Sequence, residues 1–196
     1  MKKQGCFILI SLALTQLLGC VSNLWTGASL VYDRHNVYKK LDDYNLAAVA
    51  HHELFDDKVF KQPGCYLDLA VFNNDMLLAG HVPSEALREL AVNRLQKLGG
   101  YREFFNQVAV KNDKNNALQD SWITTMIRTQ IFADAEINPK EFKIITVDGI
   151  VYLMGDVIPE QAERVIAISR QTRGVVRVVK LLNYYNLSET PKPGKH

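Results

Sequence analysis

The side chains able to do chemistry are few, and their spacing rules out most reactions. His51-His52-Glu53 places adjacent imidazoles on different faces of a helix, whereas a helical zinc site needs histidines four residues apart. His35 and His81 are far from them and from each other along the chain. No serine is flanked by the glycines of a nucleophile elbow, no glycine-rich loop offers to cradle a phosphate, and the carboxylates form no defensible pair. Catalytic residues, metal ligands and a cofactor are therefore not expected, and the chain is not read as an enzyme. Three cysteines remain, Cys6, Cys20 and Cys65.

Cys20 has the strongest local context. Met1-Lys2-Lys3 is a short positive start, and Cys6 to Leu18 is an uncharged apolar run. The run is shorter than the ~20 residues a membrane-spanning helix needs, so it has the form of a secretory signal. It ends in Leu17-Leu18-Gly19-Cys20, which resembles the lipobox of bacterial lipoproteins. There the cysteine sulfur takes a diacylglycerol, the bond before it is cut, and the new amino terminus is acylated. Val21, rather than aspartate, follows the cysteine, which by the family-level sorting rule favours the outer membrane, facing the periplasm. Cys6 leaves with the signal and Cys20 is lipidated, so Cys65, after Pro63-Gly64, has no disulfide partner and is expected to pack as a small residue. A formal net charge of +2 is too mild to argue for nucleic acid.

The expected organisation is a signal peptide at 1–19, a lipidated amino terminus and spacer at 20–42, a first domain at 43–112, a linker at 113–119, a second domain at 120–186 and a tail at 187–196. The spacer has no sustained period, and Trp25 within it suits the headgroup level of a membrane. From residue 43, Leu46, Ala50 and Leu54 mark a helical face. Strands follow at 66–72 and 76–82 around the turn Asn73-Asn74, then a helix over 84–98 stopped by Gly99-Gly100, and a strand over 101–111. The same order then recurs. Helix 120–133 carries Ile123, Ile127 and Ile131, and strands 142–147 and 150–157 flank Asp148-Gly149, a strong hairpin signal. Helix 159–173 and strand 175–185 complete the copy.

An offset of 75 superposes Asn73-Asn74 on Asp148-Gly149, Gly80 on Gly155 and Gly99 on Gly174. An offset of 77 superposes Asp43 on Asp120, and Leu46, Ala50 and Leu54 on Ile123, Ile127 and Ile131. The chain is a tandem of two α-β-β-α-β units, and two copies are too few for a solenoid, so each is expected to own a small core.

Three segments of the second unit, Asp120–Ile131, Val147–Gly155 and Gly174–Val179, resemble the BON domain (bacterial OsmY and nodulation domain). With the lipobox and Tyr32-Asp33-Arg34-His35, the whole chain is similar to the dual-BON-domain outer-membrane lipoproteins, described as division- and outer-membrane-stress-associated lipid-binding proteins. The resemblance implies an α+β fold in which each unit is a three-stranded mixed sheet with two helices packed on one face. It implies that the second unit binds anionic, phosphatidylglycerol-like phospholipid and that the protein supports envelope integrity. The first unit departs from the pattern at Asn73-Asn74 and His51-His52.

At about 100° per residue, Trp122, Met126 and Thr129 fall on a stripe of helix 120–133 beside the isoleucine stripe, and Phe132 lies far from the core side. With Arg128 these are the candidate phospholipid contacts, since an indole suits an interface and a guanidinium suits a phosphate. The same residues would equally suit packing against the other unit. Arg170, Arg173, Arg177 and Lys180 could attract headgroups, but the first two also complement a helix dipole and the last two suit the solvent side of a strand. A second function class stays open: an adaptor for envelope, septal or outer-membrane-assembly proteins, recruited through an exposed strand edge.

Overall fold

A computed structural model describes residues 29–56, 58–114 and 116–185. The expected signal segment, Cys20, Trp25 and the tail at 187–196 lie outside them. The chain divides into Met1–Val37 and Tyr38–His196. Of the first part only a helical backbone from Ser29 is described, and all that follows concerns the second.

The elements alternate as the repeat predicts. The first copy comprises α1 (Ser29–Phe55), β1 (Tyr66–Phe72), β2 (Asp75–Val82), α2 (Glu85–Gln96) and β3 (Glu103–Val110). The second comprises α3 (Ala117–Ala133), β4 (Lys143–Val147), β5 (Ile150–Val157), α4 (Pro159–Gln171) and β6 (Arg177–Tyr184). Local chemistry sets several boundaries. The Ser84 hydroxyl caps α2 by accepting from the Leu87 amide, and Pro159 opens α4, where its missing N–H is no loss. Asn73, Asn74 and Asp148 take φ of 51°, 64° and 55°, the left-handed conformations that a two-residue hairpin turn demands. Two helix onsets differ from expectation. α3 begins at Ala117, within the expected linker. α1 starts at Ser29 within the expected spacer, because a helix segment without an apolar stripe leaves no period to detect.

Each copy forms its own three-stranded sheet, in the order β1-β2-β3 and β4-β5-β6. The first pair in each is antiparallel and the second parallel, so both sheets are mixed. One face of each sheet packs on its own helices. Ala50, Leu54, Ala91 and Leu95 cover Val71, Met76, Leu78 and Val82 in the first copy. Ile123, Ile127, Ile131, Val165 and Ile166 cover Ile144, Val151, Leu153 and Val157 in the second.

The opposite faces meet each other. Ala70, Leu77 and Ala79 pack against Ile145, Val147, Tyr152, Met154 and Leu181 in a third buried cluster. The layers therefore run helix, sheet, sheet, helix, and the central strands β2 and β5 are buried on both faces. The expectation that each copy owns a core holds, but it omitted this shared one. Polar contacts also cross between the copies. Arg102 grips buried Asp75 through two bonds of 2.7 and 2.6 Å and reaches Asp156 at 2.8 Å. Asn73 donates to Asp156 at 3.0 Å, and Asn183 to Asp75 at 3.1 Å.

Candidate functional site: the outer face of α3

Ile123, Ile127 and Ile131 are buried on one side of α3, at 0%, 0% and 2% exposure. The opposite side turns apolar groups to solvent. Trp122 is 46% exposed, Met126 36%, Phe132 75% and Leu118 90%. Leu118, Trp122 and Met126 follow at intervals of four, so they line one stripe, with Thr129 on it, while Phe132 lies about 80° further round toward Arg128. The alternative of packing against the other unit is not what the structure shows for Trp122, Met126 or Phe132.

Leu118 was missed because the helix was expected to begin at Asp120, which left residue 118 in the linker. Its spacing of four before Trp122 was the available signal. Thr129 and Thr125 are exposed, and their hydroxyls donate to the carbonyls one turn back, Thr125 and Ser121, at 2.9 and 2.8 Å.

Arg128 sits apart from the stripe, roughly 120° around the helix from Trp122. It donates to the Ile144 carbonyl of β4 at 3.1 Å. That carbonyl points outward from the free edge of the second sheet, so the guanidinium caps a strand edge there.

The helix is tied to the hairpin beneath it by one carboxylate. Asp120, 2% exposed, accepts from the Asp148 and Gly149 amides, both at 2.8 Å. Asp43 does the same for Asn73 and Asn74 at 2.8 and 2.7 Å. The pairing of Asp43 with Asp120 in the repeat therefore has a physical cause. Left-handed hairpin turns expose two adjacent N–H groups, and an aspartate on the helix packed over the turn binds both.

The Tyr66 hydroxyl also approaches Asp120, at 3.5 Å. Burial first, and then the negative charges of Asp120, Asp68 and Asp148, push the Tyr66 phenol up to about 12. The neutral phenol is the form the fold favours, so its contribution is intact below the ordinary value of about 10 and is lost as pH rises through about 12. An ultraviolet titration of the folded protein is expected to show a tyrosine ionising near pH 12 that is missing from Tyr66→Phe.

The other polar candidates fall as follows. Cys65 is half-buried and free, packed against the first core, and burial pushes its thiol up, which makes it a poor nucleophile. Arg170, Arg173, Arg177 and Lys180 are all exposed, and Arg177 lies against the Tyr152 phenol rather than on an open solvent side. Among the described residues no cluster of three or more histidine, cysteine, aspartate or glutamate side chains is placed to hold a metal ion. His81, considered in the sequence only as half of a rejected metal pair, is fully buried at the junction of the two copies. A histidine inside an otherwise apolar strand was the available signal, since a buried imidazole needs partners.

Tandem mixed sheets with helices on their outer faces define an α+β domain-repeat protein of the kind the sequence resembles. The BON domain family matches residues 119–185. The 21 kDa hemolysin of Actinobacillus pleuropneumoniae is 30% identical over 154 residues, covering 78% of this chain and 79% of that protein. The outer membrane lipoprotein DolP of Haemophilus influenzae is 27% identical over 174 residues, covering 86% and 90%. The chain belongs to the BON-domain family and is a DolP-like member of it. Among solved structures, the C-terminal domain of CdsD, a structural protein of the Type III secretion system of Chlamydia trachomatis, is 8% identical with a TM-score of 0.30 over 72% of this chain and 98% of that one.

Proposed function

We propose that the protein is an outer-membrane-tethered lipoprotein, held through lipid on Cys20 and facing the periplasm, whose second BON domain binds anionic phospholipid and thereby supports outer-membrane integrity. The observation that carries the reading is the stripe of Leu118, Trp122 and Met126 on the outer face of α3, with Phe132 beside it, all exposed to solvent. Large apolar side chains on one side of a surface helix are the ordinary means of lying in a headgroup layer. The similarity to a protein named as an outer membrane lipoprotein supports the location. An anchor on Cys20 would keep the domain at high local concentration, so a weak second contact suffices.

Arg128 contributes less than its sequence position suggested, because one of its N–H groups is held by Ile144. The same contact weakens the adaptor alternative at this edge, since a partner strand adding to β4 must first displace the guanidinium.

The test uses residues 21–196 in a Trp25→Phe background, which leaves Trp122 as the sole indole. Phosphatidylglycerol vesicles are expected to shift its emission to the blue, and phosphatidylcholine vesicles to do so far less. Replacing Leu118 and Phe132 together by serine is expected to weaken binding at least about tenfold, from the apolar area removed. Absence of any shift with anionic vesicles sinks the reading.

A further inference from the structure

His81 joins three parts of the chain. It lies on β2, with Nδ1 2.7 Å from a carboxylate oxygen of Asp148 and Nε2 3.1 Å from the backbone oxygen of Asp113. The first partner belongs to the hairpin turn of the second copy and the second to the connecting segment. Both partners accept hydrogen bonds and neither donates. A neutral imidazole has one N–H, so it satisfies one of them and turns a lone pair on the other. Only the doubly protonated ring donates to both. The ring itself is 0% exposed, so a mismatched nitrogen is poorly compensated.

We propose that His81 is a protonation-dependent latch between the two BON domains, closed when both ring nitrogens carry a proton and half released when one is lost.

The surroundings come from every element packed against the ring. Lys111, at the end of β3, lies 3.2 Å from the carboxylates of both Asp148 and Asp113 and opposes a second positive charge. Asp148, Asp113 and, one step further, Asp120 of α3 favour it. Tyr66 of β1 presents its ring 5.8 Å from the imidazole. Cys65 and Lys114 line the same cavity, of about 590 Å³.

The latch has a defined reach. Asp148 binds His81 through its side chain and Asp120 through its backbone amide. The loss of one proton on β2 therefore loosens the turn to which the start of α3 is tied. Any consequence for lipid rests on the reading proposed above, whereas the latch itself does not.

The sign follows from the donor count. The closed form is the doubly protonated one, so the contribution is lost when the ring gives up its second proton. Two measurements on the purified chain test it between about pH 5.5 and about pH 8.5. Nitrogen-15 spectra are expected to show both His81 ring nitrogens protonated at the lower end. Over the range, the protection factors of the Asp148 and Gly149 amides are expected to fall about tenfold, in step with the ring's titration. In His81→Gln, which cannot titrate, that fall is expected to vanish. A ring that stays singly protonated throughout, or a protection loss that persists unchanged in His81→Gln, overturns the proposal. The ring measurement is made on the unmodified protein, so it stands even where the variant folds poorly.

Discussion

Alanine at Gly80 or Gly155 is expected to destabilise the protein more than any other replacement by so small a residue. A Cβ on Gly80 would lie 1.9 Å from the Tyr66 carbonyl oxygen, and one on Gly155 2.1 Å from that of Glu141. Both obstacles are backbone atoms and cannot turn away as a side chain would. Gly80 also has φ of 126°, where an L-residue is strained. Overpacking together with backbone strain amounts to about 3–5 kcal/mol for each. At roughly 2–4 °C per kcal/mol for a chain of this size, the midpoint of thermal unfolding drops by about 6–20 °C. Gly99→Ala is the control, because nothing lies within 4 Å of its added carbon. A drop of similar size in all three variants would mean that the close approach is not the cause.

The second large effect belongs to Asp120. Asp120→Ala leaves the Asp148 and Gly149 amides without their acceptor at a buried position, and charge-assisted bonds of this kind are worth about 1.5–3 kcal/mol each before any relaxation. The expected loss in urea unfolding is about 3–4 kcal/mol, with roughly half recovered in Asp120→Asn, which keeps an acceptor. Asp43→Ala removes the equivalent pair, but Asp43 is only half-buried, so water replaces part of the loss and about 1–2 kcal/mol is expected. The ordering of the two aspartates is the measurable claim. Equal losses would show that burial does not distinguish the two turns.

Much of this architecture is visible in the residues alone. The offsets of 75 and 77 find both copies, both hairpin turns, the two strand glycines and the two aspartates, because each is a local rule of backbone geometry written twice. What escaped is what one copy does to the other. Ile150, Tyr152 and Met154 alternate with Val151 and Leu153, so β5 is apolar on both faces, and Met76-Leu77-Leu78-Ala79 in β2 is the same. A strand with no polar side is one that is covered twice. Reading only the helix-facing residues left the second face unassigned. At the candidate site, the isoleucine stripe and its apolar opposite were legible from the helical period. The reach of Arg128 to the β4 edge was not, since a long side chain's partner depends on tertiary placement. The partners of His81 were hidden for the same reason, lying 67 and 32 residues away along the chain.

The shared core is built from matched positions. Ala70 corresponds to Ile145 in the repeat, Leu77 to Tyr152, and Ala79 to Met154, and all six lie in the one cluster. That is the signature of an isologous contact, in which the same patch of two subunits meets itself. The chain is in effect a homodimer whose protomers have been spliced end to end by the short segment between β3 and α3. Splicing makes the pairing unimolecular, so its stability is independent of protein concentration, which an association between separate molecules never is. It also frees the partners from having to be identical. One protomer can keep Asn-Asn where the other has Asp-Gly, and only one need carry an indole on its outer helix.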